Sequence, residues 1–256
     1  MNRYNKILEI RNKFKENKYS IGSWMQIPST SIGEIMGKSG YDWIAIDMEH
    51  GAIGVDKLPN LFRSIELGGT LPLVRLLEGN SSNCKQALDA GAGGVIIPMV
   101  ESAEQLEIIR SACRWPPSGS RGVGFSRANM FGKEFENYKV EAQSPIMVAM
   151  IENINALENL ESILSVDGID AIFIGPYDLS ASMDLISNFN NTKFIDVMNK
   201  IKSIADTHNI PCGIHVVNPS KDDLIQKINN GYRFIAYSMD SVFLNTSVMN
   251  PLNAEG

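Results

Sequence analysis

Eight short, almost wholly apolar runs recur along the chain with helix-patterned segments between them. That alternation constrains the fold more than any other feature. The runs are IGSWMQI (21–27), DWIAIDME (42–49), LPLVRL (71–76), GGVIIPMV (93–100), PIMVAMIE (145–152), AIFIGPYD (171–178), PCGIHVV (211–217) and RFIAYSMD (233–240). A strand that is apolar on consecutive residues is covered on both faces, as in parallel sheets flanked by helices. Between the runs lie segments such as VDKLPNLFRSIEL, SAEQLEIIRSAC, FIDVMNKIKSIADTH and PSKDDLIQKINNG, several opened by Ser, Asn or Asp and closed by Gly. The fold expected is α/β, a single-domain (β/α)8 TIM barrel over residues 1–256 with its core at about 20–245. An open doubly wound sheet is the runner-up. Two stretches break the rhythm, a long connection at 114–144 and a polar, Asn- and Ser-rich loop at 180–192, and loops of such length are usually functional or interface-forming.

Composition enters by exclusion. With 23 basic against 29 acidic residues the formal net charge is −6, which disfavours a nucleic-acid or anionic-membrane surface and leaves a small-molecule substrate as the expected partner. The opening MNRYNKILEI lacks the apolar core of a signal peptide, and no apolar run approaches the ~20 residues that span a bilayer, so a cytoplasmic location is expected. Cys84, Cys113 and Cys212 are far apart and form no CxxC pair, which points to reduced, buried thiols rather than a disulfide framework or a zinc site.

In a βα barrel the chemistry sits at the C-terminal ends of the strands. The polar groups there are Asp47, Glu49 and His50 after the second run, Arg75 after the third, Glu152 after the fifth, Asp178 after the sixth, His215 in the seventh and Asp240 after the eighth. Any one of these acids could be a helix cap. Glu152 and Asp178, however, stand one βα unit apart, so their carboxylates should converge, and without a cation between them one would have to hold a proton. Carboxylate ligation selects hard ions, Mg²⁺ or Mn²⁺. Arg75 presents a rigid fork for a carboxylate, of the protein or of a substrate, and the substrate role is the one favoured.

His50 is the best proton-transfer candidate among three histidines. His208 reads as a solvated helix end, and His215 as packing rather than substrate contact. No lysine ends an apolar strand, which argues against an imine mechanism. No GxGxxG follows a strand, and neither a P-loop nor GxSxG occurs.

The segments IDMEHG (46–51), PLVR (72–75), ALDAGAGGVIIPMV (87–100), RGVG (121–124), MIEN (150–153), GPYDLSAS (175–182) and GIHV (213–216), in this order, carry a resemblance. Over roughly 20–245 the chain resembles the HpcH/HpaI aldolases, the class II pyruvate aldolases that include 4-hydroxy-2-oxoheptanedioate and 2-dehydro-3-deoxyglucarate aldolases. The resemblance implies a barrel assembling as a trimer or hexamer. It implies Glu152 and Asp178 as ligands of Mg²⁺ or Mn²⁺, with Co²⁺ as a third candidate. The backbone N–H groups of Tyr177 and Asp178 would hold the pyruvate carboxylate, Arg75 would stabilise the enolate, and His50 would act as base through water. Asp47 and Asp89 match acids that support the histidine, Asp89 within the oligomer, and Trp24 matches an aromatic position near the site.

Two departures touch the site. Met150 stands where the family has Gln, on the same strand face as Glu152 and toward the substrate, and DLISNFNN after the sixth run lacks a Gly-rich, Pro-containing pattern. The activity expected is cleavage of a 4-hydroxy-2-oxo acid to pyruvate and an aldehyde, and its reverse. The competing readings are a related lyase on an acyl-CoA or phosphoenolpyruvate-like substrate, and a barrel that binds metal and oxo acid without turnover.

Overall fold

Each apolar run forms a strand. They are β1 (Ser20–Met25), β2 (Trp43–Asp47), β3 (Leu71–Arg75), β4 (Gly94–Ile97), β5 (Ile146–Ile151), β6 (Ala171–Ile174), β7 (Cys212–Val216) and β8 (Phe234–Met239). In this computed structural model, which describes residues 1–248 and 250, the strands pair in chain order and β8 returns to β1. Every pairing is parallel, so the chain is a closed (β/α)8 barrel. Residues 249 and 251–256 of the expected domain lie outside the described residues.

Several runs stop being strand before their last residues. The sixth is extended only to Ile174. Gly175 then caps the helix Pro176–Ser182, which places Asp178 in a first helical turn rather than at a strand end. Proline explains the early stop, because it cannot donate to the ladder and its fixed φ suits a helix start. Likewise Asp240 opens the helix Asp240–Ser247.

Alternation along the strands fills the barrel with Trp43, Leu71, Ile146 and Phe234 toward the base and with Trp24, Ala45, Leu73, Val148 and Phe173 above them. Trp43 stacks on Phe234 with centroids 4.4 Å apart, and a Cβ on Gly22 would fall 2.0 Å from the Trp43 ring. Only glycine fits beside that indole.

The N-terminal end is closed by the helix Arg3–Lys15, which the sequence reading lacks. It buries Ile7 and Ile10 in the barrel interior, while Arg11 Nε donates to Asp170 at 2.6 Å and Arg3 Nε to Glu141 at 2.7 Å. The mouth is therefore open at one end. The 114–144 connection is more structured than expected, with a 3₁₀ turn at Arg127–Gly132 and a helix at Phe135–Ala142 around a small core of Trp115, Ala128 and Tyr138. The 180–192 loop is shortened from both sides by Pro176–Ser182 and Thr192–Thr207. No helix among the described residues is long and apolar enough to cross a membrane.

Candidate active site at the barrel mouth

The register of β2 against β3 sets Asp47 beside Arg75, and the two side chains meet inside the mouth. Arg75 Nε donates to Asp47 Oδ1 at 2.8 Å and Nη2 to Oδ2 at 2.7 Å, a bidentate pair, while Nη1 lies 3.0 Å from Glu49 Oε2. The guanidinium carbon sits 4.8 Å from the Trp24 ring centroid, and that ring packs edge-on against Phe173 below. Arg75 is held by the protein's own carboxylates, the internal pairing weighed for it, and it also lines the cavity.

Asp47 is fully buried and accepts from Gln26 Nε2 at 2.8 Å and from the backbone N–H groups of Glu49 at 3.1 Å and His50 at 3.3 Å. Burial alone would push its carboxyl up. The Arg75 guanidinium, aided by Gln26 and the His50 N–H, outweighs that and holds it below the usual carboxylate range. Asp47 thus fixes the guanidinium and the backbone of the loop that carries His50, with no hydrogen bond to the imidazole itself. Gln26, which also accepts from Ser241 Oγ at 3.2 Å, was missed by sequence reasoning, since nothing in its spacing marks it.

Glu152 sits just past the end of β5 and is buried. Its Oε1 accepts from the Met99 N–H at 2.7 Å, and its Oε2 packs against Gly175, where a Cβ would come within 2.5 Å of it. The glycine thus brings the start of the Asp178 helix against the Glu152 carboxyl. Burial, with Glu49 and Asp178 adding repulsion, raises the Glu152 pKa to about 7. Glu49 is likewise raised, by burial that outweighs Arg75 and His50, with Asp47 and Asp178 adding to it. Three carboxyl groups therefore feel one another across a single space. Among the described residues no group of three or more His, Cys, Asp and Glu side chains is gathered at one cation site.

His50 lies on the rim, with a side chain 58 % exposed and Nε2 3.9 Å from Glu49 Oε2. His215 packs within the mouth and also lines the cavity. Its Nε2 is 3.2 Å from the Ser238 carbonyl and its ring meets Trp24 edge-on, and burial lowers its pKa to about 4, so it stays neutral at pH 7. Met150 is buried and lines the cavity alongside Glu152. Tyr177 is exposed, its ring against Phe189, and as residues of a first helical turn Tyr177 and Asp178 have N–H groups without an intrahelical acceptor. Asp240 is absorbed structurally, accepting from the Gln26 and Ile27 N–H groups at 2.9 and 2.8 Å.

Asp89 is not brought to this site. It lies near the end of the outer helix Ser81–Ala90 and is not among the residues lining the cavity, which is a space of about 730 Å³. Burial raises its carboxyl, opposed by Arg121 and Lys85. The three cysteines are free and buried. Lys227 is the one lysine bordering the cavity among the described residues, and it does so from an outer helix rather than a strand end.

A closed barrel with its buried charges gathered at the C-terminal strand ends is the layout of a (β/α)8-barrel enzyme. The comparisons narrow this. The family model of HpcH/HpaI aldolase/citrate lyase matches residues 20–246, and the chain belongs to that family. It is 37 % identical over 243 residues to the hydroxypyruvate/pyruvate aldolase of Roseobacter denitrificans, covering 92 % of this chain and 93 % of the relative. It is 37 % identical over 233 residues to the 4-hydroxy-2-oxovalerate aldolase of Novosphingobium aromaticivorans, covering 89 % and 86 %. Among solved structures, an HpcH/HpaI aldolase/citrate lyase family protein from Burkholderia cenocepacia J2315 superposes with a TM-score of 0.87 at 26 % identity, covering 93 % of this chain and 95 % of that one.

Proposed function

We propose that the protein is a divalent-metal-dependent carbon–carbon lyase that cleaves a 4-hydroxy-2-oxo acid to pyruvate and an aldehyde, and runs the reverse addition. The observation that carries this reading is that Arg75, Glu152 and Asp178 line one cavity with His50 at its rim, Glu49 standing behind against Arg75 at 3.0 Å. The relatives named as pyruvate-type aldolases support it. Glu152 and Asp178 fit a hard dication. Their donors are carboxylate oxygens, and a buried carboxyl raised to about 7 is relieved of its repulsion by a positive ion. Mg²⁺ or Mn²⁺, with Co²⁺ as a third candidate, would supply Lewis-acid polarisation of the 2-oxo group.

The chain's own residues supply the rest. His50 takes the proton of the 4-hydroxyl, by way of water, as the C3–C4 bond breaks. The bonding pair passes to C3 and onto the 2-oxo oxygen, and the guanidinium of Arg75, held by Asp47 and leaning on Trp24, stabilises that negative charge. The aldehyde leaves, and a proton returned to C3 completes pyruvate. The free N–H groups of Tyr177 and Asp178 hold the carboxylate of the oxo acid, and Met150 borders it where a donor amide would otherwise stand. Asp89 serves the His50 of a neighbouring copy in a homotrimer or homohexamer, for which the exposed Phe125 and Phe131 of the 114–144 connection offer apolar surface.

The same reading takes residues 1–256 as one domain and, from the free thiols, places the chain in the cytoplasm. The test is pyruvate release from 4-hydroxy-2-oxo acids of varied length, before and after chelation. Activity should vanish with chelator and return with Mg²⁺ or Mn²⁺; undiminished activity without metal would sink the reading.

A further inference from the structure

The cavity does not end at the mouth. One continuous space runs from Arg75 and Glu152 past Phe173 to Phe194, Met198, Ile214 and Tyr232. Phe173 belongs to the barrel interior, whereas Phe194, Ile214 and Tyr232 belong to the layer between barrel wall and outer helices. The space therefore passes through the wall. Strand pairing explains the opening. β6 and β7 are paired only at Ile172 with Cys212 and Phe173 with Gly213, so Ile214–Val216 of β7 have no β6 neighbour and a slot is left above Gly213.

The outer layer leaves room behind the slot. The helix Lys221–Asn229 buries none of its residues, while every other helix among the described residues buries at least one. Its Leu224 and Ile228 are only half-buried and Ile225 is 44 % exposed. At 1.5 Å per residue, Lys227 and Asn199 lie about 9 and about 10 Å below the starts of their helices, so the arm descends about that far alongside the barrel, the length of an aliphatic chain of roughly six to eight carbons.

Its lining is mostly apolar, with Asn199, Lys227 and the Tyr232 hydroxyl as the polar groups. The Lys227 ammonium stands 6.0 Å from the Tyr232 ring centroid, and its methylene stem adds to the apolar wall. A hydroxylated chain would find partners only at Asn199, Lys227 and the Tyr232 phenol, and each hydroxyl set against the apolar stretches between them would go unpaired, at about tenfold in affinity or more, whereas each buried methylene gains about fourfold.

Building on the aldolase reading above, we propose that the aldehyde half of the substrate carries an extended, unsubstituted alkyl tail that threads the β6–β7 slot into this arm. The tail, rather than hydroxyl groups, is what the chain recognises. Met198 and Ile195, which line the arm from the helix Thr192–Thr207, determine its length.

The experiment is pyruvate addition to acetaldehyde, butanal, hexanal and glyceraldehyde, with exchange of pyruvate methyl protons in deuterated water followed in parallel. From butanal to hexanal kcat/KM should rise about fifteenfold, two methylenes at nearly fourfold each, and glyceraldehyde should fall below butanal. Met198→Trp should cut the hexanal-to-acetaldehyde ratio at least tenfold. Ile195→Phe, at a position 42 % exposed and so tolerant of bulk, should lower the same ratio. A flat profile in the presence of normal exchange, or a ratio indifferent to both substitutions, overturns the tail assignment and leaves the aldolase standing. Absence of exchange removes the aldolase reading, and this one with it.

Discussion

Replacing Asp47 by Asn tests the electrostatic design of the mouth with little change of volume. The wild-type carboxylate takes two hydrogen bonds from Arg75, at 2.8 and 2.7 Å, one from Gln26 at 2.8 Å and two from loop N–H groups, and it is sealed from water. Asparagine keeps one acceptor oxygen and turns an NH₂ toward the guanidinium. Breaking a buried ion pair costs about 3–5 kcal/mol because the remaining charge stays buried. Here Arg75 retains Glu49 at 3.0 Å, so the low end applies, about 3 kcal/mol. At about 2–4 °C per kcal/mol for a chain of this size, that is a fall of roughly 6–12 °C in Tm.

The pH dependence carries its own sign. The folded carboxyl titrates below its unfolded counterpart, so its stabilisation is present above about pH 4 and is lost as pH falls through the lower, native value. Urea unfolding of chelated wild type and Asp47→Asn should therefore differ most near pH 7 and converge toward pH 3. A difference below about 1 kcal/mol at pH 7, the size expected of an exposed pair, or a gap that persists into acid, would refute the reasoning.

Three further outcomes are expected. In metal-free protein the Glu152 carboxyl, raised to about 7, gives stability that is complete below its unfolded value near 4.5 and lost as pH rises through 7. Thermal midpoints should accordingly fall across that window in wild type, much less in Glu152→Gln, and Mn²⁺ should restore more at pH 8 than at pH 6. Gly175→Ala places a methyl 2.5 Å from Glu152 Oε2, so metal affinity should drop at least about tenfold, the lower range for disturbing a ligand's support, and calorimetric titration giving wild-type affinity would contradict the packing. His50→Ala should slow metal-dependent exchange of pyruvate methyl protons by about 10²-fold or more while leaving the unfolding curve in place; an unchanged exchange rate would remove His50 as the base.

What the amino-acid order determined by itself is the barrel and the cast of charged groups. Strands covered on both faces must be apolar residue after residue, so all eight announce themselves, and the charged residues that close several of them mark the mouth. Asp47, His50, Arg75, Glu152 and Asp178 are legible for that reason.

Partnership is a different matter. Whether Asp47 faces an imidazole or a guanidinium depends on the pairing of β2 with β3 and on depth inside the barrel, neither of which is written in linear spacing. The helix Arg3–Lys15 is hidden because only Ile7 and Ile10, three apart in a charged segment, are buried. Gln26 becomes part of the site only when β1 and β2 close side by side, and Asp89 is held away from it by the outer helix that carries it. The mostly apolar arm lies where β6 and β7 part after two pairs and where one helix covers the wall with half-buried side chains only. Its lining comes from residues that in sequence are ordinary core positions. Sequence periodicity reports which face of an element is buried; only the assembled barrel decides whether that burial is against a side chain or against an empty space.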